Sequence, residues 1–443
     1  MKEIFKFPLK QHIGREAVPC VVEGDEVRRG QLLALQGEGL GSNIFSSVNG
    51  YVTYVGTDRI EIEPAKEQTK DYIPLKNTAP LELIQEAGIV GLGGAGFPTY
   101  AKFGKPFETG GTVIINAAEC EPILCHNIAR VEKKPQQLLR GLAIAMEIAH
   151  AAHGVIAIKA YHTEAIKKLE KANHDPKIRI HELPDMYPMG EERAIIREVF
   201  GKILPVTALP LEAEAIVINA ETACRIQEAV DEKKPLIDKD LTVAGKIYGN
   251  AEDKLIQTFL DVPIGTAVEN MFEKAGGGIQ HGLAEDYGEL IMGGPFTGKR
   301  TTLDAPVVKT TGGLIAAECF PKGPDKIGLL VCACGADTDR MKQLAESLGS
   351  EVVGIEYCKQ AIEVRGTRKC ENPGRCPGQV QKVMALKKAG AKAVLISNCT
   401  DCSNTVMSCA PKLGLPVYHC TDGPLRAVNH TLIRRIKEDK EEM

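Results

Sequence analysis

Four glycines crowd the stretch GLGGAGFPT, at Gly91, Gly93, Gly94 and Gly96, and Lys102 follows shortly after. Such a run removes every Cβ along one face of a loop, so backbone N–H groups can close on a phosphate. The lysine supplies a point charge for the same group. Next comes Asn116-Ala-Ala-Glu119-Cys-Glu121-Pro122, whose polar side chains suit the rest of a phosphorylated ligand. Glycine-rich strings arise often by chance; the lysine and the Asn/Glu segment make this one a candidate site.

The second chemistry belongs to cysteine. The chain has 14, and Cys332-Ala-Cys334, Cys358, Cys370, Cys376 and Cys399-Thr-Asp-Cys402 lie close together in its C-terminal part. In a reducing compartment a disulfide framework is the wrong default. Cys332 and Cys334 are expected to end the strand Ile327 to Val331, Cys358 the next strand, and Cys399 and Cys402 the strand Val394 to Ser397. Cys370 and Cys376 fall in a Gly/Pro loop. A domain of this kind gathers the carboxyl ends of its strands along one edge, so Cys332, Cys334, Cys358, Cys399 and Cys402 are expected to converge, with helix N-termini after two of these sites favouring thiolates. Two uses fit. The five ligate an iron–sulfur cluster, or a dithiol/disulfide cycle passes electrons to a partner. Cys20, Cys125, Cys224 and Cys319 are read as small apolar fillers.

Positioning these residues requires α/β architecture. Pro80 to Gly88 reads as a short helix with Pro80 in its first turn and Gly88 as its stop, and the glycine loop follows at once. Thr112 to Ile115 is a β-branched run, so the Asn/Glu segment emerges at a strand end, where α/β folds place ligands. Strand-like runs at Val155 to Lys159 and Ile178 to Leu183 alternate with helical runs at Gln136 to Ala152, Thr163 to Ala172 and Gly190 to Phe200. His150 and His153 are read as helix-end residues, not as a metal pair.

Ahead of this unit, short alternating strands with Gly-Asp and Asn-Gly turns indicate a small β-barrel or sandwich. After it, Asp240 to Tyr248, Val262 to Thr266 and a helix closing at Ala275-Gly-Gly-Gly278 form a further β-rich module. Gly293 to Lys299 has the spacing of a phosphate loop, but Arg300 stands where Ser or Thr is required, and that reading is rejected. The fold class is multidomain α/β, with expected divisions at 1–65, 70–235, 236–320 and 325–443. The FPKGPDK segment between the last two suits either a hinge or a rigid loop.

Bulk properties agree. At 443 residues, 44% hydrophobic and 25% charged, the chain exceeds what one core serves. A net charge of −4 with 5% aromatic residues argues against nucleic acid as a partner. No apolar run approaches the ~20 residues that span a bilayer, and the charged opening MKEIFKFPLK is not a secretory signal. The expected location is cytoplasmic, with peripheral membrane association left open.

The glycine loop with Lys102, the segment Tyr187-Pro-Met-Gly190-Glu191-Glu192-Arg193 and the segment Val217-Ile-Asn219-Ala-Glu221-Thr222 resemble, in the same order, the nucleotide-binding segments of the flavin- and NADH-binding subunits of complex I. The resemblance is closer still to the RnfC family of the Rnf electron-transport complex. It implies FMN and NADH as cofactors, with Gly93, Gly94 and Lys102 at the FMN phosphate and Asn116, Glu119 and Asn219 at the ribityl chain and ring edge. Phe97 would lie against NADH, and Glu121, Glu191 and Glu192 would line the nicotinamide and ribose side; Gly91, Gly96 and Gly190 complete the implied cofactor-binding set. By sequence alone Glu191 and Glu192 serve equally as the acidic first turn of the helix that follows.

The opening module is similar to the barrel-sandwich hybrid of RnfC proteins. It lacks the modified lysine of lipoyl carriers, since that turn reads Gly41-Ser-Asn-Ile-Phe45. Residues 236–320 resemble the soluble ligand-binding β-grasp module of the same family, and Ile291-Met-Gly-Gly-Pro295-Phe-Thr-Gly298 matches its pattern. The tandem CxxCxxCxxxCP repeats of RnfC are absent. In their place CACGAD, GIEYCKQA, KCENPGRCPGQ, NCTDCSNTVM and VYHCTDG resemble the electron-transfer proteins associated with D-proline reductase in amino-acid-fermenting anaerobes, which implies proline reductase or a similar reductase as partner. The expected function is an NADH:acceptor oxidoreductase, passing hydride to FMN and electrons through the C-terminal cysteines to that partner. The competing reading is a nucleotide-sensing docking scaffold whose cysteines hold a structural metal.

Overall fold

Period-2 alternation builds the opening barrel in the computed structural model, which describes residues 3–249, 254–279 and 281–434. Phe5 and Phe7 of Phe5–Pro8 pair with Ile62 and Ile60 of Arg59–Pro64, and all four are buried while their neighbours are less so. A four-stranded and a three-stranded sheet complete this module.

The glycine-loop unit is a parallel sheet in the order Ile178–Leu183, His153–Lys159, Thr112–Ala117, Ala215–Asn219. Thr112–Ala117 is buried along nearly all its length, as a strand covered on both faces must be. The long covering helix is Pro135–Ala149, shorter than the expected run to Ala152. His150 takes a left-handed conformation that closes it, and His153 opens the next strand instead of ending the helix. The short helix is Pro80–Glu86, and Thr163–Ala172 and Ile178–Leu183 match the expected bounds.

A five-stranded mixed sheet follows, with the helix Val268–Ala275 packed on it. Its strand Asp238–Gly245 is buried throughout although it carries Asp238, Lys239 and Asp240. Buried charges persist only when paired. Arg130 donates to Asp240 at 2.7 and 2.5 Å and to Asp261 at 2.5 Å. Arg225 binds Glu221, Glu228, Asp240 and Asp261, and Lys239 binds Glu221. This network ties the helices His126–Lys133 and Ala220–Asp231 to the strand.

The cysteine unit is a parallel sheet in the order Glu351–Tyr357, Lys326–Val331, Ala393–Ile396, Val417–His419. A separate hairpin, Ala361–Val364 with Thr367–Cys370, places Cys370 at a strand end, not in the loop the sequence suggested. The unit is docked. Tyr187 of the glycine-loop unit stacks on Phe296 at 3.7 Å, and Phe296 meets His419 edge-on at 5.3 Å. Arg193 donates to the Cys370 carbonyl at 2.7 Å, Arg197 to Asn372 at 2.7 Å, and Arg340 grips Glu289. Among the described residues, no helix is long and apolar enough to cross a membrane.

Candidate functional site

Asn116 and Asn219 are register partners at the carboxyl ends of adjacent parallel strands. Over them the loop 91–97 is closed by the Val90–Pro98 bridge and by the Gly91 N–H donating to the Phe97 carbonyl at 2.9 Å. A Cβ on Gly93 would fall 2.5 Å from Nδ2 of Asn219, so only glycine lets the loop descend this far. On exposed Gly94 a Cβ would meet nothing within 4 Å, which leaves the rim of the loop as an open cradle. Asn219 caps the helix Ala220–Asp231 through the Thr222 N–H. Asn116 Nδ2 donates to the Gly190 carbonyl at 2.9 Å and so draws the 190–192 segment to the same edge. Lys102 Nζ donates to the Val217 carbonyl and to the Glu192 carboxylate, both at 2.7 Å. Gly91, Gly93, Gly94, Phe97, Lys102, Asn116, Gly190, Glu192 and Asn219 are thereby brought together, whereas Gly96 is buried against Gln11 and His12 of the barrel.

Three carboxylates expected to face a ligand are engaged elsewhere. Glu119 accepts the N–H groups of Asn127 and Ile128 at 2.8 and 2.9 Å, satisfying donors that a helix start leaves free. Glu121 crosses to the 293–298 loop and accepts the Phe296 and Thr297 N–H groups at 2.8 and 2.9 Å and the Thr297 hydroxyl at 2.6 Å. A Cβ on Gly294 would lie 2.4 Å from that carboxylate. The string that looked like a phosphate loop therefore does hold an anion, supplied by the chain itself, and burial raises the Glu121 pKa. Glu191 caps the helix Glu192–Phe200 by accepting from Arg193 and Ala194, which is the helix-start role that sequence alone allowed it.

All five expected cysteines converge, and Cys370 and Cys376 join them. Thiol contacts run from Cys370 to Cys334, Cys332, Cys358 and Cys402, and Cys402 also touches Cys376 and Cys399. Gln379 Nε2 lies 3.1 Å from the Cys358 sulfur, 3.6 Å from Cys376 and 3.7 Å from Cys402. Donation from Cys332 and then Cys402 pushes the Cys358 thiol down to about 3, and donation from Cys402 brings Cys376 to about 6. Cys402, set among the acceptors Cys358, Cys376 and Cys399, is held up as a thiol. Among the described residues no group of three or more His, Cys, Asp or Glu side chains is arranged to hold a single metal ion. The signal for Cys370 was local: Arg365-Gly366, both at positive φ, is a hairpin turn between two strand-like runs. Of the supposed fillers, Cys224 is buried, Cys125 is half-buried beside the Thr258 hydroxyl, and Cys20 and Cys319 are exposed.

Between the two edges lies a cavity of about 340 Å³ lined by Cys120, Lys159, Tyr161, Tyr187, Thr400 and Asn404 among others. Burial pushes the Cys120 thiol up to about 11, and its side chain packs against the cores of both units.

The family model described as the Nuo51 FMN-binding domain matches residues 84–228, and that of the RnfC barrel sandwich hybrid domain matches residues 1–77. The RnfC-type component of the proton-translocating ferredoxin:NAD(+) oxidoreductase complex of Clostridium ljungdahlii is 31% identical over 327 residues, 70% of this chain and 69% of that one. The chain belongs to the RnfC family. The corresponding component of the Na(+)-translocating ferredoxin:NAD(+) oxidoreductase complex of Acetobacterium woodii is 29% identical over 345 residues, 73% of this chain and 75% of that one. Cobalamin reductase PduS of Citrobacter freundii is 37% identical over 235 residues, 53% and 49% of the two chains. As an RnfC protein this chain is an oxidoreductase, and its FMN-binding domain covers the elements that carry the glycine loop. The residues present fit that cofactor: an open glycine rim, an ammonium at the same sheet edge and two amide side chains on its floor.

Proposed function

We propose that this RnfC chain accepts hydride from NADH on an FMN held by Gly91, Gly93, Gly94, Lys102, Asn116 and Asn219, and delivers electrons through its C-terminal cysteines to a reductase of the D-proline reductase type. Bound FMN supplies the exchange between two-electron and one-electron chemistry. The chain's own residues orient that group, exclude water from it and carry charge onward.

The observation that carries this reading is a short bridge between the two sites. Asn116 binds the Gly190 carbonyl, and three residues earlier Tyr187 donates its hydroxyl to the Cys334 carbonyl and its N–H to the Thr400 hydroxyl at 3.0 Å. A cysteine set held this close to the flavin domain suits an electron exit. The NADH assignment is supported by the family resemblance and by relatives named for NAD(+). The partner assignment is supported by the cysteine motifs of the tail. The divisions 1–65, 70–235, 236–320 and 325–443 are supported by sheets that fall within them, and the mixed sheet with one helix supports a β-grasp module in the third.

Direct thiol contacts favour dithiol/disulfide traffic, because exchange requires one sulfur to reach the next. The convergence of Cys332, Cys334, Cys358, Cys399 and Cys402 supports the second reading, ligation of an iron–sulfur cluster. Flavin, iron and sulfide are to be quantified in anaerobically purified protein, with NADH-driven acceptor reduction compared between wild type and the Cys399→Ser, Cys402→Ser double variant. A yellow protein whose acceptor turnover collapses in the variant supports the proposal, and iron with sulfide selects the cluster. A colourless protein with bound zinc overturns it in favour of a scaffold.

A further inference from the structure

We propose that Cys376 is the exit nucleophile of the thiol set, that Cys402 resolves it, and that the group reduced is a disulfide on the partner protein; this rests on the electron-transfer reading above. An electron pair carried on sulfur leaves only through a thiol that another sulfur can reach. Of the seven thiols in contact, Cys332, Cys358, Cys370, Cys399 and Cys402 are buried, and Cys334 and Cys376 are partly open.

Those two differ in setting. Cys334 lies at the interface with the glycine-loop unit, its carbonyl taken by the Tyr187 hydroxyl and its neighbours Ala333 and Gly335 half-buried. Cys376 stands between exposed Arg375 and Pro377. Its sulfur accepts the Gly378 N–H at 3.3 Å, has Gln379 Nε2 at 3.6 Å and lies 3.2 Å from the Thr405 hydroxyl. Its own N–H is fixed by Asp401 at 2.8 Å. Cys376 is thus oriented, supplied with donors and open to solvent. The contact sequence Cys334, Cys332, Cys358, Cys402, Cys376 joins the flavin-facing thiol to it.

In the first step the Cys376 thiolate attacks one sulfur of the partner disulfide. That S–S bond breaks, and the second partner sulfur leaves as a thiolate and takes up a proton. Cys402, losing its proton, then attacks the Cys376 sulfur. The mixed disulfide breaks, a Cys376–Cys402 bond forms, and the first partner sulfur departs as a thiol. Two electrons and two protons have moved from the Cys376/Cys402 dithiol to the partner. Cys358, in contact with Cys402, continues the exchange inward and restores Cys376.

The test uses the full chain and the aromatic disulfide DTNB as probe. In prereduced Cys402→Ser protein a stable adduct is expected at Cys376 by peptide mass spectrometry, absent from wild type, where Cys402 resolves it. Exposed Cys20 and Cys319 label in both and serve as internal controls. NADH-driven DTNB reduction is expected to fall about tenfold or more in Cys376→Ser. An adduct at Cys334 in place of Cys376, no adduct at either, or wild-type turnover by Cys376→Ser overturns the assignment. The adduct experiment needs no flavin. A wild-type chain that resolves the adduct yet fails to turn over with NADH therefore upholds the exit and contradicts the flavin reading alone.

Discussion

Gly93 and Gly94 meet two different demands. Gly93 is glycine because the loop must pass over Asn219, and Gly94 because the space beside it is left open. Gly94→Ala is therefore expected to lower FMN content after reconstitution while shifting Tm by no more than about 1 °C, and Gly93→Ala to lose both flavin and stability. Flavin fluorescence and thermal unfolding measured on the same samples check this, and a Gly94→Ala protein that binds FMN like wild type moves the phosphate away from this rim. Acid stability is argued at the same scale. Burial holds His126 and His419 down at about 4. Unfolded imidazoles titrate near 6.5, so the unfolded chain binds more protons between those values. The stability of the neutral state is complete above pH 6.5 and is drawn down as pH falls through about 4. Each imidazole is expected to cost about 2 kcal/mol between about pH 7.5 and 5. Urea midpoints measured at the two pH values test it, and an unchanged midpoint contradicts it.

Among the elements, the cluster of Arg130, Arg225, Lys239, Glu221, Asp240 and Asp261 joins the FMN-binding domain to the mixed sheet. Asp240→Asn leaves two buried guanidinium groups short of a counter-charge and is expected to cost about 3–5 kcal/mol, read as a lower urea midpoint. A variant as stable as wild type would show that the network is not a structural tie. Elements were legible in the sequence where local pattern dictates them: Thr163–Ala172 and Ile178–Leu183 follow from their own periodicity. The glycine loop was legible as well, since its chemistry lies within a few residues. Glu121 was not, because its partners Phe296 and Thr297 lie 175 and 176 residues away. No spacing within the Asn/Glu segment reveals a carboxylate that binds another loop. His153 was misplaced for a related reason, since a left-handed residue at His150 ended the helix before its apolar pattern ran out.

On the scale of the whole molecule, a segment that suited a hinge in sequence joins units that are in fact packed together. The stack of Tyr187, Phe296 and His419 links the glycine-loop unit, the mixed sheet and the cysteine unit in one line. Convergence of the cysteines was foreseen from strand order, yet their placement against the flavin domain was not, because docking depends on contacts such as Arg193 with Cys370 that no local pattern encodes. That docking gives the molecule an electron store beyond its flavin. The direct check is an anaerobic titration of oxidised, FMN-loaded chain with NADH, following flavin absorbance and counting free thiols, iron and sulfide. Uptake is predicted to continue past one NADH per FMN, with two thiols released for each further NADH or, in iron-loaded protein, with reduction of the cluster. Uptake that stops at one NADH per FMN, with thiols and iron unchanged, would contradict electron exit through the cysteines.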